Sequence, residues 1–195
     1  MDELAALVGF SFVSSVTPGP NNVLLWASGA RFGFRRTVRH VVGTAVGLGT
    51  MALGAAAGIA ALVSALPALE LAMKVAGSAY LLFLAWQTAM AGTLDPGVVA
   101  RPFGLFQAAA FQAINPKAWI FALGAVTTFR PDGFPVVAGS VLVAATMMVV
   151  IVPSASLWAA GGGALARFLE GERTRQLVSL GLAGVLALTV VTVWL

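Results

Sequence analysis

Cysteine is absent from all 195 residues of this chain, which removes disulfides, thiol relays and thiolate metal sites together. A single histidine, His40, excludes the usual haem and histidine-cluster arrangements. Charge is scarce as well: 9% of residues are Asp, Glu, Lys or Arg, against about 25% in average soluble domains. Seven are acidic, and Asp2, Glu3, Glu70, Asp95, Asp132, Glu170 and Glu172 all fall near the ends of apolar stretches or between them. No paired carboxylate or Ser/His set is left at depth for hydrolytic chemistry. The chain begins Met1-Asp2-Glu3, without the basic region that opens a signal peptide, so the first apolar segment is expected to stay attached.

What is plentiful is apolar. Hydrophobic residues make up 59% of the chain and the mean hydropathy is +0.96. The long apolar stretches lie end to end, which predicts an all-α membrane protein with six spans: about Leu4–Ser28, Val41–Leu66, Leu69–Met90, Leu105–Phe129, Phe134–Ala160 and Gln176–Leu195. Trp26, Trp86, Trp158 and Trp194 fall near span ends, where indoles prefer the interface. Trp119 does not fit that belt. The net charge of +4 comes from arginines gathered between apolar stretches, a topology signal rather than a nucleic-acid one. Arg31, Arg35, Arg36, Arg39, Arg101, Arg167, Arg173 and Arg175 occupy the first, third and fifth connections. The positive-inside rule then puts both termini outside the cytoplasm, in the periplasm for a bacterial inner membrane.

The first span contains Thr17-Pro18-Gly19-Pro20-Asn21-Asn22, a helix breaker where a membrane helix belongs. Neither apolar side alone crosses a hydrocarbon core of about 30 Å, so the break is expected at depth. The prolines withhold the N–H groups that Ser14 and Val16 carbonyls need. Irregular backbone survives at depth only against protein or a wet cavity. A plain proline kink is the simpler reading, but two prolines, a glycine and two asparagines in six residues favour a binding site at a discontinuous helix.

Asn115-Pro116-Lys117 interrupts the fourth span in the same manner. Asn at an N-cap followed by Pro starts a helix, so new half-helices are expected from Pro18 and from Pro116. Lys117 then sits near mid-membrane, where an ammonium needs a cavity or a partner. The alternative, a shorter fourth span with Lys117 at the surface, leaves Ala118–Phe129 too short to cross alone. Elsewhere, Gly43, Gly47, Gly54 and Gly58 share one face of the second span, a pattern for close helix packing. Lys74 either snorkels or pairs with Glu70 one turn earlier.

Three spans separate the two breaks. Lys74-Val-Ala-Gly77-Ser-Ala79-Tyr-Leu is weakly similar to Val178-Ser-Leu-Gly181-Leu-Ala183-Gly-Val. An odd number of spans per half inverts the halves, about residues 1–95 and 96–195, within one transporter domain. The two half-helix N-termini then converge with Lys117 on one place suited to an anionic group such as a carboxylate.

Thr17-Pro18-Gly19-Pro20-Asn21, Lys74…Gly77-Ser-Ala-Tyr80-Leu81 and Asn115-Pro116-Lys117-Ala118 together resemble the LysE-type (lysine exporter / homoserine-threonine resistance) translocators, over essentially the full length. The resemblance implies a bacterial inner-membrane exporter of amino acids or related metabolites, driven by an ion or proton gradient. It implies that Thr17 to Asn21 and Asn115 to Lys117 line the path, with Lys74 and Tyr80 as further positions. Combined with the residue reading, the expected substrate-binding set is Thr17, Pro18, Gly19, Pro20, Asn21, Asn22, Tyr80, Asn115, Pro116 and Lys117, with Lys74 and Lys117 for ion coupling. No catalytic residue, cofactor or metal is expected. The expected partners are an amino acid, a coupling proton or ion, the bilayer and room for a homo-oligomer. Because no acidic residue lies deep, a neutral amino acid or derivative is expected rather than a basic one. The rival readings are a metal or other metabolite exporter, which the donor set disfavours, and a membrane-embedded enzyme or assembly subunit.

Overall fold

A computed structural model describes residues 2–58, 67–90, 101–131, 133–168 and 172–194. These form eight helices and no strand among the described residues: α1 Asp2–Val16, α2 Pro20–Phe32, α3 Phe34–Ala56, α4 Pro67–Ala89, α5 Leu105–Ala113, α6 Pro116–Phe129, α7 Val136–Phe168 and α8 Glu172–Trp194.

The helix boundaries follow local chemistry. α1 stops at Val16 because Pro18 and Pro20 cannot continue its hydrogen bonding. The next helix opens at Pro20 rather than at Pro18: Gly19 is the extended N-cap residue and Pro20 takes the first helical position. α6 opens at Pro116 with Asn115 at its N-cap. α3 starts at Phe34, seven residues before the expected Val41, so Arg35, Arg36, Arg39 and His40 are helical rather than in a connection. The chain turns at Gly33, whose φ of +77° is a glycine conformation, and nothing from Phe34 onward breaks a helix. The expected end of the second span, 59–66, lies outside the described residues. α7 runs straight through Pro153 and past the expected Ala160 to Phe168.

Among the described residues only α7 is long and apolar enough to cross a membrane unaided, over the 30 residues Val136–Leu165. Glu3–Val16, Lys74–Trp86 and Gln176–Leu188 are shorter apolar stretches. The outward faces are apolar nonetheless. Phe106 is 85% exposed and Ile120 74%, a surface built for lipid rather than water.

α7 is the packing centre, with α1, α2 and α3 laid against it. α5 and α6 pack on α3, and α4 packs on α8. One apolar core joins α1, α2, α3, α6 and α7 around Leu25, Leu48, Phe121, Met147 and Ile151. A second joins α2, α4, α5 and α8 around Leu24, Leu81, Phe111 and Leu186. The α2–α7 seam brings backbones into contact: a Cβ on Gly29 would collide with the Ala159 carbonyl, and one on Gly162 with that of Trp26. On α3, Gly43 and Gly47 seat α5 as the glycine face predicts, whereas Gly58 lies past the helix end at φ +88° with open space around it.

Candidate functional site

Breaking a helix frees carbonyls, and those of Ser15, Val16, Thr17 and Pro18 at the end of α1 find side-chain donors. Asn22 Nδ2 donates to Ser15 O (2.7 Å) and to Thr17 O (2.8 Å). Trp158 Nε1, from α7, donates to Val16 O at 3.2 Å. Lys117 Nζ, from α6, donates to Thr17 O and to Pro18 O at 3.3 Å. Lys117 therefore sits on the carbonyl end of α1, the negative end of its dipole, and the centre is less positive than two helix N-termini and a lysine suggest. Gly19 makes this approach possible, since a Cβ there would lie 2.8 Å from Lys117 Cδ. Trp158 is thus a strut of the first break, its ring 5.7 Å from that of Trp26. At the second break Trp119 Nε1 reaches back to Ala113 O (2.8 Å).

Beside the breaks lies a buried amide network that the sequence reading only partly found. Asn21 Oδ1 accepts from Gln112 Nε2 at 3.0 Å, with Thr44 Oγ1 at 3.2 Å and His40 Nε2 at 3.3 Å. Gln112 Oε1 accepts in turn from Asn115 Nδ2 (3.2 Å). Asn115 occupies the N-cap position but makes no capping bond. Its Oδ1 has no protein partner, although the residue is only 4% exposed. Gln112, His40 and Thr44 were missed. The available signals were a glutamine one turn before Asn115 in an apolar run, and a His/Thr pair one turn apart on α3.

Asn21, Asn22, Gln112, Asn115, Gly19 and Lys117, with Ser14, Ser15 and Thr44, line a cavity of about 30 Å³ closed on its apolar side by Leu48, Phe121 and Ile151. That volume accommodates a water or two, not an amino acid. Thr17 contributes its carbonyl, and Pro18, Pro20 and Pro116 set the backbone, without lining it. Tyr80 is elsewhere: it belongs to an aromatic group with Phe83, Phe103 and Phe111 and lines a separate, larger chamber. Lys74 is half-buried on α4 and away from the cavity. The Glu70 side chain, and with it the expected Lys74–Glu70 pair, lies outside the described residues. Among the described residues no three His, Asp or Glu side chains gather as a metal site would need.

A lipid-faced helical bundle with a small polar cavity between two interrupted helices is the architecture of a membrane translocator. The chain belongs to the LysE type translocator family, whose pattern matches residues 12–194. Curated relatives include the cysteine/O-acetylserine efflux proteins of Escherichia coli (strain K12), Shigella sonnei (strain Ss046) and Escherichia coli O1:K1 / APEC. Each is 32% identical over 127 residues, and the match spans 65% of this chain and 65% of the relative's length. No solved structure matches the chain.

Proposed function

We propose that this protein exports a small neutral amino acid or derivative, of the size of cysteine, O-acetylserine, threonine or homoserine, across a bacterial inner membrane by alternating access. The observation that carries this reading is that Lys117, whose Nζ holds backbone carbonyls, and Asn115, whose Oδ1 is unpartnered, line one cavity. A zwitterion needs a cationic donor for its carboxylate and an acceptor for its ammonium group. Lys117 would leave the Thr17 and Pro18 carbonyls for the substrate carboxylate, and Asn115 Oδ1 would accept from the amino group. Asn21 and Asn22, already engaged, would frame the site rather than touch the cargo. The absence of a deep carboxylate gives a second positive charge no counterpart, which disfavours lysine or arginine. The relatives' names point the same way.

The six-span plan with halves at about 1–95 and 96–195 is part of this proposal, and the packing supports it. Exchanging the halves (α1 for α5, α2 for α6, α3 for α7, α4 for α8) turns α2 on α7 into α6 on α3. It also turns α1 on α7 into α5 on α3, and leaves α3 on α7 and α4 on α8 unchanged. All of these pairs are in contact. Both termini would be periplasmic, an ion or proton gradient would drive the cycle, and Lys117 and Lys74 are the groups to test for coupling. A homo-oligomer is compatible with this plan.

The test compares efflux of cysteine, O-acetylserine, threonine, leucine, lysine and arginine from cells with and without the protein. Faster release of a neutral substrate that Asn115→Leu abolishes, with membrane insertion intact, is the expected result. Selective release of lysine or arginine would overturn it.

A further inference from the structure

Two cavities lie on either side of one partition. The larger, about 960 Å³, is lined by Arg35, Arg36, Arg39 and Arg101 with Tyr80, Phe83 and Phe103 among its walls, and its size falls in the range of ligand pockets. The smaller is the 30 Å³ cavity at the helix breaks. Between them the ring of Phe103 stacks on His40 at 4.9 Å, and His40 holds Asn21 Oδ1 on its far side. The chamber thus reaches the substrate cavity through two side chains.

The arginines are placed against their own helix. Arg35, Arg36 and Arg39 stand in the first two turns of α3, with no acidic residue in the first turn. Cations at a helix N-terminus oppose its dipole, and Arg35 and Arg39, four apart, repel one another. Arg101, from a distant part of the sequence, adds a fourth positive charge to the same chamber. No acidic side chain lines it among the described residues. Orientation in the bilayer needs arginines on this side of the membrane, but it does not need four of them facing one chamber. An anion there relieves the repulsion and the dipole conflict together, and guanidinium groups grip a carboxylate through paired N–H bonds.

We propose that the arginine chamber is a second binding site, which takes the carboxylate of the amino acid on the cytoplasmic face before the His40–Phe103 partition opens toward Lys117. The assignment rests on the export reading for its cargo, yet binding can be measured without turnover. Because the chain has no native cysteine, Phe83→Cys on the chamber wall gives a single reporter in purified protein. Its reaction with a maleimide should slow at least threefold with O-acetylserine and stay unchanged with serine amide, which lacks the carboxylate. Adding Arg36→Gln, Arg39→Gln and Arg101→Gln should remove the protection. In everted vesicles the same triple variant should raise the KM for O-acetylserine uptake about tenfold or more and leave kcat within twofold. Lysine at the three positions keeps the charge that sets topology and should restore the KM only in part. Absence of protection, equal protection by serine amide, or a full rescue by lysine would overturn the proposal. Protection that requires phosphatidylglycerol and ignores O-acetylserine would assign the chamber to a lipid phosphate and overturn it too. Protection intact with no transport would instead refute the export reading.

Discussion

Asn22→Ala isolates the bridge that holds the first break. The asparagine amide donates both of its hydrogens, to Ser15 O and Thr17 O, and alanine supplies neither. Lys117 still reaches Thr17 O, so the Ser15 carbonyl loses most. Two lost bonds at the ~0.6 kcal/mol average measured within membranes give about 1 kcal/mol. A buried carbonyl left wholly unpaired raises that to about 3 kcal/mol. At roughly 2–4 °C per kcal/mol for a chain of this size, the melting midpoint should fall by about 2–12 °C. Asn22→Asp preserves the shape but turns an acceptor toward two acceptors, and should be at least as damaging. The assay is thermal unfolding of purified protein in a fixed detergent or nanodisc, with efflux measured in parallel. An Asn22→Ala protein that melts within 1 °C of the parent would show that the freed carbonyls need no bridge, and the account of the break would fail.

Gly19→Ala keeps an accessible backbone conformation but pushes a methyl into Lys117; efflux should drop about tenfold or more while the melting midpoint moves little, and normal efflux would refute the contact. Gly29→Val forces α2 and α7 apart at their backbone seam, so the protein should lose folded yield in membranes, which a detergent-solubilised size-exclusion profile would register. Gln112→Leu removes the anchor of Asn115 and one partner of Asn21, and should weaken efflux at least tenfold; a variant with unchanged KM and kcat would remove the amide network from the site. Cysteine labelling should find positions near Asp2 and Asp132 periplasmic and those near Arg35 and Arg101 cytoplasmic, and the reverse would sink the proposed topology.

The two helix breaks were legible because local chemistry accumulates there: Pro153 alone leaves α7 unbroken, whereas two prolines flanking a glycine, and a proline behind an asparagine N-cap, end one helix and start the next. Apolar run lengths likewise announced a helical chain. What the breaks bind to was not legible. Trp158 is 142 residues from Val16, and an indole in an apolar run reads equally as an interface anchor. Asn21 and Asn22 look alike in sequence, yet one gathers donors through its oxygen and the other spends its nitrogen on the chain behind it. Their roles depend on which neighbours the packing delivers. The early start of α3 escaped notice for a related reason: basic residues suggested a connection, although arginine is a good helix former.

The length of α7 has a consequence for the membrane around it. A largely apolar stretch of 30 residues at about 1.5 Å each makes a rod of about 45 Å, half as long again as the hydrocarbon of an average bilayer. Such a rod must lean or protrude, and its inclination depends on the thickness of the lipid around it. Because α1, α2 and α3 all rest on α7, a thinner or thicker bilayer would tip the wall against which the first break is strutted. Acyl-chain length thus becomes a mechanical input to the protein, and reconstitution into lipids of graded chain length should change the rate of transport without any change in its cargo.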